Sequence, residues 1–227
     1  MAQAGIHALV GMAVGRWTPQ RTWLSLGLVL GSMLPDADIL IMAVATLAGL
    51  PTEGLHRTFT HSLFTVAIVP AVFRAVAWVT GRPAWWNLGL GLGLGILMHM
   101  ALDLAIWFRG VEILWPLPFQ VDFWRGVPVP GWWRTFELPA EFLCFALLFL
   151  ALHFSAARQG TDLQFLRRLR FWIWVQIALF VSLAASASAL GGSYRVVHGA
   201  FYVPSLGLAI GVVVRMRTTL ARWPNQE

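Results

Sequence analysis

The chain has 227 residues, 58% of them hydrophobic and only 11% charged, with a mean hydropathy of +0.70. That is too little charge to coat a water-facing surface, which excludes an ordinary soluble domain. The net charge is +6 and every basic residue is arginine; these sit in short loops between apolar runs, a pattern of membrane topology, so no nucleic-acid partner is expected.

Residues 5–14 form a short apolar segment that carries His7 and stops at Gly15, Arg16 and Pro19. Residues 22–34 form a second, up to Pro35, and residues 39–50 a third, ending at Gly49 and Pro51. All three fall short of the roughly 20 residues a crossing needs, which predicts half-helices or re-entrant elements buried by their neighbours. Residues 60–80 and 85–108 read as full spans. The second contains GLGLGLG at 89–95, whose small residues permit close helix packing; a nucleotide-binding loop would need a preceding strand and polar surroundings. Residues 109–137 are the one long polar stretch, rich in Pro, Gly and Trp, and read as an ordered interfacial loop or lid. Spans at 138–157, 171–190 and 197–214 complete the chain. The start lacks the basic segment and small-residue cleavage site of a secretory signal, so no processing is expected.

The expected fold is therefore all-α: a polytopic helical membrane protein, one domain over 1–227, with short or re-entrant helices in its N-terminal half. A metal-site half covers about 1–116 and a helical half about 117–227. Placing the loop at 158–170 in the cytoplasm gathers Arg16, Arg21, Arg74, Arg82, Arg158, Arg167, Arg168, Arg170, Arg215, Arg217 and Arg222 on that side. Arg57, Arg109, Arg125, Arg134 and Arg195 fall on the other. The assignment needs residues 39–50 not to cross, and it puts Asp36, Asp38, His56, His61 and the Asp103 end of its helix on the outer face.

Those residues carry the chemistry. Asp36 and Asp38 follow Pro35; alone they would be a helix cap or turn. His56 and His61 flank Arg57, Thr58, Phe59 and Thr60, and alone would be polar residues at an interface. His99 and Asp103 are four apart on one helix face, inside the longest apolar run, where an ionisable pair is costly. Their plain reading is a private His–Asp hydrogen bond, and that of His7 a core histidine. Brought to one depth, His7, Asp36, Asp38, His56, His61, His99 and Asp103 exceed the needs of one tetrahedral zinc and suit two divalent ions, Zn or Mn. Such a pair activates water against a phosphate ester, for which Arg57 can neutralise an oxygen. Asp38, Arg57 and Glu112 are the candidate catalytic residues, Glu112 as a base or lid contact. Ser62 reads as a helix cap, His198 as a residue able to enter the site, and His153 as a polar helix-end residue. Cys144, the single cysteine, excludes a cysteine zinc site and reads as a packing residue.

At these positions the chain resembles the membrane-bound metal-dependent hydrolases, a family that includes LexA-regulated inner-membrane proteins and was long a domain of unknown function. The matching pieces are His7, LPDAD at 34–38, HRTFTHS at 56–62, HMALD at 99–103 and GVEILWP at 110–116. The resemblance implies metal binding by the same seven His and Asp residues and a bacterial inner-membrane location. One departure is Thr58, where the family often has glycine. The reading is a membrane-embedded metal-dependent hydrolase of a phosphate ester in a lipid or lipid-linked amphipathic substrate, its site facing the extracytoplasmic side. The alternative is a non-enzymatic metal-stabilised scaffold or a transporter.

Overall fold

A computed structural model describes residues 4–108 and 110–223, and the side chains of Arg134 and Thr135 are likewise outside the description. Arg109, assigned above to the outer face and to the start of the polar loop, lies outside the described residues, as does the side chain of Arg134. Among the described residues the chain is helical with no strand, apart from an isolated antiparallel bridge between Val111 and Val121.

The helices are α1 (Ala4–Gly15), α2 (Leu24–Met33), α3 (Ile39–Leu47), α4 (Leu63–Thr80), α5 (Pro83–Ile106), α6 (Gly131–Phe136), α7 (Ala140–Gln159), α8 (Leu166–Leu190), α9 (Tyr194–Arg215) and α10 (Arg217–Ala221). Among the described residues five helical stretches are long and apolar enough to cross a bilayer: Leu24–Leu47, Leu63–Thr80, Pro83–Ile106, Ala140–Gln159 and Leu163–Arg215. The last contains α8 and α9, which double back so that Arg215 pairs with Asp162 at 2.9 Å. α4 buries no residue against the protein, although it is as apolar as any other span. Packed along α5 but with no residue fully buried, it turns an apolar outer surface that suits lipid and not water, so this is an integral membrane protein.

One boundary differs from the sequence reading. Pro35 and the aspartates after it were expected to end one short helix before another began. Instead helical residues run without a gap from Leu24 to Leu47. Pro35 has no N–H to donate, so the chain tightens there into a 3-10 turn, Leu34–Asp38, and continues as α3. The two short segments make one stretch of 24 residues.

The glycines of α5 explain how the bundle is assembled. Residues two apart on a helix point to nearly opposite sides. A Cβ on Gly91 or Gly95 would strike the carbonyl oxygens of Leu24 and Leu28 in α2, while one on Gly89 or Gly93 would strike Phe73 and Pro70 in α4. From the other side, a Cβ on Gly27 or Gly31 would strike the carbonyl oxygens of Leu88 and Leu92. The run GLGLGLG thus provides two backbone-close seams, and α2 and α5 lie side by side in parallel, Gly27 beside Gly91 and Gly31 beside Leu92.

The register sorts the charges. At one end, Trp223 donates to the Met12 carbonyl (2.6 Å), Thr161 bonds Thr219 (2.8 Å), Trp23 packs on Trp85, and Arg74 lies over Trp86. This is the end with Arg16, Arg21, Arg82, Arg158 and Arg215. At the other end meet the start of α1, the 3-10 turn after α2, the start of α4, the C-terminal part of α5 and the start of α7.

Leucine at Gly31 or Gly91 must drive α2 and α5 apart. We expect each to lower stability by about 3 kcal/mol or more, read as a thermal shift in detergent. Gly207→Ala in α9, where a Cβ meets nothing within 4 Å, should stay near wild type.

Candidate metal centre

Close packing of α2 on α5 delivers the Ser32 carbonyl to His99, whose Nδ1 donates to it at 2.8 Å. That bond fixes the tautomer: Nδ1 carries the proton and Nε2 presents a lone pair. A similar chain fixes His61. Its Nδ1 lies 2.9 Å from the Thr60 hydroxyl, which lies 3.2 Å from Asp38 Oδ2. A carboxylate can only accept, and charge strengthens its claim on the single hydroxyl proton. Thr60 therefore donates to Asp38, and His61 Nδ1 donates to Thr60, leaving Nε2 as the second lone pair.

The two Nε2 atoms face each other at 3.1 Å. Around them, Asp103 Oδ2 lies 3.5 Å from His61 Nε2 and 3.8 Å from His99 Nε2, and Asp36 Oδ1 lies 3.7 Å from His99 Nε2. His7 stacks on His99 with ring centroids 3.7 Å apart and places its Nε2 3.2 Å from Asp103 Oδ1. Beyond these ion-pair contacts neither ring nitrogen of His7 makes a well-formed hydrogen bond, and Asp103 Oδ2 has the Arg57 guanidinium beside it at 3.2 Å. Lone pairs and carboxylates crowded together without protons between them repel, unless a cation is their common partner. Among the described residues two groups have the spacing that could hold a metal ion, His7–His99–Asp103 and Asp36–His61–His99, and all five residues are at least 98% buried. They share His99, so they form one cluster.

The remaining candidates sit around it. Both oxygens of Asp38 accept from His56 Nδ1, at 2.9 and 3.0 Å, and Oδ2 also accepts from the Arg57 backbone N–H at 3.2 Å. With Thr60 this makes Asp38 the anchor of the 56–61 loop; neither Asp38 nor His56 belongs to the two groups above. His56 Nε2 is left buried and without a hydrogen-bond partner. Arg57 has φ of 62°, a left-handed conformation costly for a non-glycine residue. Its N–H is held by Asp38 and its carbonyl by the Glu112 N–H, at 3.3 Å, so the backbone is tied on both sides. The side chain, 7% exposed, reaches Asp103 Oδ2 at 3.2 Å. Glu112 thus joins the site through its backbone, and its carboxylate is in neither metal group. Ser62 is the N-cap of α4, accepting from the Phe64 N–H at 3.2 Å and donating to the Trp115 carbonyl at 2.8 Å, which pins the polar loop over this end.

His198 is turned away, donating to the Leu138 carbonyl at 2.9 Å between Phe142 and Tyr202. Cys144 packs against Gly5. Glu141, which with Glu137 one turn away reads in the sequence only as an acid favoured by the dipole at a span start, does more: its buried Oε1 accepts the Gly5 N–H at 2.8 Å and so holds the first turn of α1, which carries His7. An acid in the first turn of a long apolar helix was its only signal. The Ser32 carbonyl had none, since a backbone group leaves no mark in a sequence.

No curated protein and no solved structure gives a significant match. Residues 1–191 match the family described as YdjM inner membrane protein, which fits the apolar spans and the membrane placement argued from α4. The chain belongs to the YdjM inner membrane protein family.

Proposed function

We propose that the protein is a membrane-embedded metal-dependent hydrolase acting on a phosphate ester in a lipid or lipid-linked substrate. The observation that carries this reading is the pair of Nε2 lone pairs at 3.1 Å, each set by a bond at its own Nδ1, with two carboxylates beside them. His7, Asp36, His61, His99 and Asp103 would hold the metal, with Zn or Mn favoured by imidazole over Mg. When bound, such an ion supplies a Lewis acid that acidifies water and offsets the charge developing on a phosphoryl group.

The chain's own residues do the rest. His99 has a single free Nε2, so it serves one ion, and a second ion would rest on the remaining members of its group. Ser32 and Thr60 keep the two imidazoles oriented, Thr60 under the hold of Asp38. Arg57, fixed at its backbone and paired with Asp103, presents a guanidinium for a phosphate oxygen. With the arginine-rich end in the cytoplasm, the site faces the extracytoplasmic side. A non-catalytic, metal-stabilised scaffold is the second reading, favoured by the near-complete burial of all five residues. It is disfavoured by Arg57, whose cost in strain and burial a structural metal does not require.

Purified wild type should contain Zn or Mn by elemental analysis, and His99→Ala and Asp36→Ala should lose most of it, whereas His153→Ala should not. Chelation should abolish hydrolysis of dihexanoyl phosphatidic acid, and Zn²⁺ or Mn²⁺ should restore it better than Mg²⁺. Unchanged turnover after chelation rejects the mechanism; tight metal with no turnover of any phosphate ester favours the scaffold. Thr60→Val removes the link between Asp38 and His61 and should weaken metal about 10–100-fold, measured by chelator competition. Arg57→Gln should keep the metal while lowering turnover by about 10–100-fold, as expected for losing a charged contact of roughly 1.5–3 kcal/mol.

A further inference from the structure

Beside the cluster lies a cavity of about 710 Å³, within the size range of small-molecule sites. Arg57 forms part of its wall, so one side chain touches both the cavity and Asp103. The rest of the wall comes from the end of α5 (Trp107), the polar loop and α6 (Trp133, Glu137), and the turn from α8 into α9 (Gly191, Gly192, Tyr194, Arg195). Two wall residues are more than nine-tenths buried yet hold a polar atom without a hydrogen-bond partner: the indole Nε1 of Trp107 and the hydroxyl of Tyr194. A buried donor left without an acceptor is costly. Two of them in the wall of one cavity, beside the guanidinium of Arg195 and that of Arg57, which also pairs with Asp103, form a site suited to an anionic acceptor.

We propose that this cavity binds the phosphate group of an amphiphilic substrate, with Trp107 and Tyr194 as hydrogen-bond donors, Arg57 as the inner cation and Arg195 as the outer one. This rests on the function proposed above and assigns its substrate site to walls that include the α8–α9 turn. Aromatic rings of Trp107, Phe108 and Trp133 pack on one another along the same wall, with centroids 5.0 and 5.7 Å apart, and give the ligand's first carbons an apolar surface. Tyr194 and Trp107 act on specificity, since a neutral donor recognises phosphate only where its partner is an oxygen acceptor.

The test is calorimetric binding to the full chain in lipid nanodiscs, using octylphosphonate, whose P–C bond a hydrolase cannot cleave. Methylphosphonate carries the head without the tail, and octanol the tail without the head. Octylphosphonate should bind more tightly than either, and tighter binding than methylphosphonate identifies a lipid-like source over a free phosphate. Gly192→Leu tests the cavity itself: a Cβ there meets nothing within 4 Å, so the side chain grows into open space. It should weaken octylphosphonate at least tenfold with metal content unchanged, and Tyr194→Phe should weaken it about five- to tenfold. If both variants bind as wild type, or octanol binds as well as octylphosphonate, the assignment is overturned. The two proposals fail separately. Binding blocked by Gly192→Leu without any turnover removes the hydrolase and keeps the cavity, whereas turnover untouched by Gly192→Leu removes the cavity and keeps the hydrolase.

Discussion

The contact on which the rest depends is backbone against backbone, between α2 and α5. Membranes offer no hydrophobic reason for helices to associate, so close fit and polar bonds must hold them. Here Gly27 and Gly31 meet Gly91 and Gly95 at a separation that no side chain would allow. The gain is chemical as well as mechanical. Only at this separation can the Ser32 carbonyl in α2 reach His99 in α5 at 2.8 Å, and only that bond leaves Nε2 facing the cluster. Because the helices are parallel, one axial step of about 1.5 Å per residue would break the bond. Register is therefore a condition of the imidazole's chemistry.

A second constraint organises the loop that brings His61. One buried carboxylate, Asp38, receives His56, the Arg57 backbone and the Thr60 hydroxyl. Burial of an anion is tolerated only when donors replace water, and here three donors from five consecutive residues do so. The same bonds impose the left-handed backbone at Arg57 and aim its guanidinium at Asp103. Thr58 beside it is buried, with φ of −113° and ψ of −107°, so the turn is tight through two residues.

Much of this is legible in the sequence because the bilayer makes polar residues conspicuous. His99 and Asp103 stand out as an i, i+4 pair in an apolar helix, and the membrane class follows from composition. Residue type cannot say which member of a polar set faces the centre and which orients another. Asp38 reads as a ligand on the same grounds as Asp36, yet its oxygens are engaged by the loop, and His56 points its Nδ1 at that carboxylate instead of the cluster. Pro35 reads as a helix end because the rule concerns the missing N–H; a 3-10 turn absorbs the loss, and tertiary packing keeps the helix going. Glu141 and Tyr194 belong to the half of the chain that reads as generic membrane helix, and what gives each its place is a neighbour from a distant segment.

The bond from Trp223 to the Met12 carbonyl carries a consequence of its own. Met12 is five residues from His7 on the same short helix, and Trp223 lies beyond residue 191, where the family match stops. The helix presenting one of the five cluster residues is thus braced, at its far end, by a part of the chain outside the shared region. α1 is gripped twice, by Glu141 at its first turn and by Trp223 near its last, and only the first grip lies within the matched residues. Removing the Trp223 indole would release the far end of the His7 helix while leaving every residue of the matched region in place.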